Sequence, residues 1–174
     1  NLETDQGENH PKEWLYGRRM TETLNAFCPD ASEPLQLAAR CQHIRRWESP
    51  RSDYPDGRAG YKKWRSQLAL HHGRVAGQIM AEHGYDEETI RRVQDMLIKR
   101  NLKRDPEVQT LEDVICLVFL SHYLEDFAQK HDEEKLIDII QKTWNKMSER
   151  GHEAALKLPL AEPMGRLIHK ALGA

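Results

Sequence analysis

Residues 110–129, TLEDVICLVFLSHYLEDFAQ, decide the fold. Inside them VICLVFL, residues 114–120, is apolar on every side of a helix, which predicts a central helix packed all round by others. No alternating pattern elsewhere lasts long enough to build a sheet. Downstream, Asp132 caps a predicted helix to about Met147 with the stripe Leu136, Ile139, Ile140 and Trp144, where Trp144 reads as core. Two short helical pieces follow, around 151–157 and 160–172. Upstream, NLKRDPEVQ (101–109) reads as a polar connector. DEET (86–89) starts a helix to about Arg100, with Asp86 as cap and acids favouring the dipole of the first turn. A long helix runs from about Arg58 to His83, where Gly84 takes the usual C′ role. Pro34 opens a helix through Leu37, Ala38, Cys41 and Ile44 to Trp47, after the breaker CPDASEP (28–34). Pro11 opens another to Phe27, with Asn9 or His10 as cap. Residues 1–10 are polar and read as irregular. The prediction is an all-α fold: a single-domain helical bundle over residues 11–174.

The chain of 174 residues carries 26 basic and 28 acidic side chains, so the formal net charge is only −2 and no global field points to nucleic acid or an anionic membrane. No apolar run reaches the length of a membrane span. Cys28, Cys41 and Cys116 are odd in number and lack metal-type spacing, as reduced thiols of a cytoplasmic protein would. The first residues, beginning at Asn1, show no signal-peptide pattern. Charge is uneven, however. Between residues 45 and 65 seven bases (Arg45, Arg46, Arg51, Arg58, Lys62, Lys63, Arg65) face three acids (Glu48, Asp53, Asp56), a local excess of four. Much of that stretch is ESPRSDYPDGRAG (48–60), with two prolines and two glycines, a loop of the length that often carries function.

His72 follows His71, and neighbours on a helix diverge by about 100°. Leu68, Ala69, Val75 and Ala76 surround His72, whereas Gln67 and Arg74 make the surroundings of His71 more polar, so His72 is the inward one. A lone histidine on an apolar face is more often a hydrogen-bonded core residue than a ligand. Glu112 and Asp113 read as opening the central helix beside Leu111, Val114 and Ile115. Burial of such an acid needs compensation. An arginine or lysine, the dipole of a first helical turn, or a divalent ion shared with His43 and His72 would each supply it. The residues alone favour capping or ion pairing. Imidazole and carboxylate together suit zinc, manganese, iron or nickel. His43 reads either as a surface histidine near a helix end or as a ligand beside the arginines that follow it. Arg45, Arg46, Arg51, Arg58 and Arg65 can hold phosphate oxygens, and Tyr54, Tyr61 and Trp64 can stack on a base. Lys99, Lys103 and Arg104 can add to the same pocket, although an i,i+4 pair of Asp95 with Lys99 is the ordinary expectation. No glycine-rich phosphate loop, nucleophile with a base, or Cys-x-x-Cys pair is present.

The strings QHIRRWESPRSDYPDGRAGYKKWR (42–65), LEDVICLVFLSHYLEDF (111–127) and KTWNKMS (142–148) closely resemble the family catalogued as domain of unknown function 4202, from about Pro11 to Leu158. More distantly, the layout is similar to the HD superfamily of metal-dependent phosphohydrolases, helical bundles in which a histidine, a His-Asp doublet and a later aspartate bind a divalent metal. That resemblance implies a phosphohydrolase acting on a nucleotide or other small phosphate ester. It implies one divalent ion held by His43, His72 and Asp113, with Glu112 and Asp113 as catalytic carboxylates. Gly73 stands in place of the doublet aspartate, which leaves a mononuclear site of altered chemistry or no metal site at all. Arg45, Arg46, Arg51, Arg65 and Lys99 would bind phosphate, and Trp47, Tyr54 and Trp64 would shape the pocket. The alternative is a non-catalytic helical module binding RNA or a nucleotide through residues 45–65. Nucleic acid is the less favoured partner, and a membrane is not expected.

Overall fold

The structure, a computed structural model, describes residues 1–173. It is mostly helical, and its contacts group into two compact units, residues 1–111 and 112–174. The first unit opens with an antiparallel hairpin of β1 (Leu2–Asp5) and β2 (Glu8–Pro11). This corrects the irregular N-terminus expected from the sequence. Gln6 and Gly7 both take positive φ, +50° and +85°, as a two-residue hairpin loop requires. The hairpin is then held by charge. The guanidinium of Arg19 on α1 (Lys12–Phe27) donates to Glu3 at 2.5 Å and Asp5 at 2.9 Å, and Arg18 reaches Asp5 at 3.3 Å.

The rest of this unit comprises α2 (Glu33–Arg40), α3 (Gly57–Glu82), α4 (Glu87–Leu97) and the start of α5 (Pro106–His122). Ser32 caps α2 and Asp86 caps α4, each accepting a main-chain N–H. α1 packs on α2, and α4 packs on both α2 and α3. Leu15, Met20 and Leu24 of α1, Leu35 and Ala38 of α2, Leu68 and Val75 of α3, and Val93 and Met96 of α4 are buried as its core. At the start of α3, a Cβ on Gly60 would lie 1.8 Å from the Pro55 carbonyl oxygen, so only glycine lets the preceding loop press onto the helix. Trp64, one turn on, donates its indole N–H to the Ser49 carbonyl at 2.9 Å and closes that loop from the other side.

The second unit holds the remainder of α5, α6 (Leu124–Ala128), α7 (Glu133–Trp144), α8 (Glu149–Ala155) and α9 (Glu162–Ala171). Within α5, Val114, Cys116, Leu117, Val118 and Leu120 are all buried, which is the all-round burial that its sequence predicts. α7 packs on α6 and α9. Asp132 accepts the Lys135 N–H as the cap of α7.

Of the element boundaries that differ from the sequence reading, two bear on the site. α2 ends at Arg40 rather than Trp47. Residues 41–45 turn instead, through Ile44 N–H to Cys41 O and Arg46 N–H to His43 O, and Arg45 takes a left-handed φ of +47° that no helix continues through. α5 begins at Pro106 rather than near Thr110. Asp105 is its cap, its Oδ1 receiving the N–H groups of Glu107 at 3.0 Å and Val108 at 3.4 Å, with proline at the first helical position. Glu112 and Asp113 therefore lie within the helix and do not open it.

Candidate functional site

The turn that replaces the end of α2 carries His43 and Arg46 toward α1 and α3. The His43 ring stacks on Tyr16 of α1, with centroids 3.6 Å apart and planes 12° from parallel. Arg46 Nη1 lies 3.0 Å from His43 Nε2 and 3.3 Å from Nδ1. A guanidinium only donates, so the imidazole accepts. The same guanidinium sits 5.1 Å over the Trp64 ring, in cation–π range. His72 is 5% exposed, its ring centre 6.1 Å from that of His43, and its Nε2 is buried without a hydrogen-bond partner. His71 faces away as its surroundings predicted. Its Nε2 meets the Arg45 carbonyl at 3.1 Å and its Nδ1 meets Arg74 at 3.0 Å.

Electrostatics make this a cluster of neutral imidazoles among arginines. Burial holds the His43 pKa well below its ordinary value, and the charges of Arg46, His72 and Arg65 push it the same way. Burial likewise lowers His72 to about 3, helped by His71, Arg46 and Arg65. Arg46 is itself disfavoured as a cation by burial and by Arg65, with Tyr16 and Glu13 acting in the opposite direction. Among the described residues neither Arg46 nor Arg65 has a carboxylate within ion-pair distance. An incompletely compensated, largely buried guanidinium is a standing electrostatic cost, and an anion would remove it.

The other residues singled out from the sequence disperse. Arg45 is exposed, with its guanidinium 3.9 Å from Glu48. Trp47 is 57% exposed. Arg51 donates to the Tyr54 carbonyl at 2.9 Å and braces the loop. Lys99 follows α4 with a left-handed φ of +57°, and Asp95, its expected partner, pairs with Arg100 at 3.2 Å. Conversely, Tyr16, Glu13 and Lys12 belong to the cluster and were not anticipated. No local pattern marks Tyr16, because its role depends on where the turn after α2 returns.

In the second unit Glu112 and Asp113 are each 2% exposed. Asp113 accepts the Ser148 N–H on Oδ1 at 2.8 Å and the Ser148 hydroxyl on Oδ2 at 2.5 Å. The Ser148 oxygen in turn accepts the Gly151 N–H at 3.1 Å. This is a two-tier cap on α8: serine satisfies an orphan donor of the helix start and the carboxylate fixes the serine. The fit is close, since a Cβ on Gly151 would lie 2.7 Å from Asp113 Oδ1. Of the donors that the HD resemblance assigns to a metal, the two imidazoles of the first unit are adjacent and suited in protonation state, whereas Asp113 is engaged as a cap. Among the described residues no group of three or more His, Cys, Asp or Glu side chains is placed to hold a metal ion.

These features define a class: a mostly helical protein with a histidine–arginine–tryptophan cluster in its first unit. The chain belongs to the family described as Domain of unknown function (DUF4202), which it matches over residues 1–168. No curated protein and no solved structure matches it. No helix among the described residues is long and apolar enough to cross a membrane.

Proposed function

We propose that this chain binds a phosphate-containing small molecule, a nucleotide by preference, at the cluster of His43, Arg46, Trp64, Arg65 and His72. The observation that carries the reading is Arg46: largely buried, repelled by Arg65, stacked on an indole and lacking, among the described residues, a carboxylate in ion-pair range. A phosphate oxygen supplies the missing charge, and charge-assisted hydrogen bonds to guanidinium groups are among the stronger polar contacts. The neutral imidazoles add one hydrogen-bond donor each and bring no further positive charge to repel Arg46. Isothermal titration with inorganic phosphate and with nucleoside mono-, di- and triphosphates tests this. Arg46→Gln should weaken binding by about tenfold or more, matching the loss of one charge-assisted contact. Equal affinity in wild type and variant would sink the proposal.

A second reading, hydrolysis of the bound phosphate ester in the manner of the HD superfamily, is favoured by one observation. The buried His72 Nε2 has no partner and lies beside a second neutral imidazole. Both rings are in the protonation state that ligates a divalent ion. Elemental analysis of protein purified without chelator separates the readings. Metal present in wild type and lost in His72→Ala supports hydrolysis, whereas metal-free protein that binds phosphate leaves a binding module.

A further inference from the structure

A second cleft in the first unit shares no residue with the histidine–arginine cluster. It has a volume of about 640 Å³ and lies between α2, the turn after it and the last turns of α3. Its walls are Leu37, Ile44, Ala76, Ile79 and Met80, and its size and apolar lining are those of a small-molecule site. Leu37, Ile44 and Ile79 are only half-buried, so apolar surface remains in water that a ligand would cover. Cys41 belongs to the wall and is not a nucleophile there, because burial pushes its thiol up to about 11.

The polar groups stand at the rim. α3 ends in a Schellman motif, with Gly84 at φ +82°, Gly84 N–H to Ala81 O at 3.1 Å and Tyr85 N–H to Met80 O at 3.1 Å. The motif seats Tyr85 so that its hydroxyl donates to the Glu33 carboxylate of α2 at 2.6 Å. His83 uses its Nδ1 on the Ile79 carbonyl at 2.8 Å. A donor to that carbonyl leaves Nε2 as an acceptor. No lysine or arginine lines the cleft, and Glu33 carries its one full charge.

We infer that this cleft binds a small amphiphilic cation, an apolar aromatic or branched body with a protonated amine directed at Glu33. The body replaces water on Leu37, Ile44, Ile79 and Met80, and the amine meets the carboxylate oxygens and the free face of His83. This inference is independent of the phosphate site.

The test is titration of the whole chain with 2-phenylethylamine, 3-phenylpropionate and 2-phenylethanol, followed by amide chemical shifts. Phenylethylamine should give saturable shifts centred on Leu37, Ile79 and Tyr85. Because Glu33 is exposed, the carboxylate and alcohol probes should bind roughly threefold to fivefold more weakly, the worth of an exposed ion pair. Glu33→Gln should erase that preference while keeping the apolar part of the affinity. Leu37→Trp fills the cleft and should abolish binding of all three probes, with Ile79→Trp as the substitute where the first variant fails to fold by circular dichroism. Absence of saturable shifts, shifts located elsewhere, or an amine preference that survives Glu33→Gln would overturn the inference.

Discussion

Asp113 on α5 and His72 on α3 are both buried polar groups on a long helix, and the cost of burying them is met in different ways. In the second unit Asp113 has donors for both carboxylate oxygens, from the backbone and hydroxyl of Ser148, and the result is a fixed start for α8. Among the described residues of the first unit His72 keeps a buried nitrogen without a hydrogen-bond partner, and Arg46 has no carboxylate within ion-pair distance, although Glu13 acts on it from farther off. Satisfied burial of the kind seen at Asp113 serves the fold. Unsatisfied burial is the observation on which the proposed phosphate site rests.

The strongest way to break the comparison is Asp113→Ala. As a cap, its loss leaves two donors of Ser148 unmet and should lower unfolding free energy by about 2–4 kcal/mol in urea titration, with chelators making no difference. Asp113→Asn, which keeps one acceptor, should lose less. A stability loss reproduced in wild type by chelator alone would instead return Asp113 to the metal.

Comparable in size across its whole window is a pH effect from the first unit. The folded pKa of His72, about 3, lies below the unfolded value of 6.5. Between those limits the unfolded chain binds a proton that the folded chain refuses, so stability falls as pH drops from 6.5 toward 3 and is fully present above 6.5. Each such histidine contributes roughly 1 kcal/mol per pH unit within the window. Denaturation midpoints in His72→Leu should show a shallower pH slope than wild type by that amount; an unchanged slope would place the His72 nitrogen in contact with solvent.

The smallest expected effect sharpens the proposed site. Trp64→Phe removes the indole donor to Ser49 and weakens the cation–π contact with Arg46, and phosphate affinity should fall roughly threefold. A larger loss would mean that the indole touches the ligand directly.

The helical character and the inward face of His72 were legible because they rest on local periodicity. Asp86, Asp132 and Gly84 were legible because caps are short-range chemistry. The start of α5 was also written in the chain, as Asp105–Pro106, but a run of polar residues around it masks the cap. Reading it correctly would have moved Glu112 and Asp113 out of a first turn and removed the dipole as their compensation. The N-terminal hairpin was legible only through Gln6–Gly7, since its strands lack apolar alternation and are held by Arg18 and Arg19 from another element. What could not be read is the left-handed Arg45. It takes tertiary contacts to hold a non-glycine residue there, and that dihedral turns the chain just before Arg46, which reaches Trp64. The partner of Asp113 was hidden for the same reason: Ser148 lies thirty-five residues away.

The glycine at position 60 has a consequence for the proposed phosphate site. With Pro55 wedged against it and Ser49 tied to Trp64, the segment that carries the basic side chains is a splint rather than a flap. A guest arriving at such a surface finds it already assembled. It surrenders its own freedom but not the host's, so modest contacts translate into useful affinity.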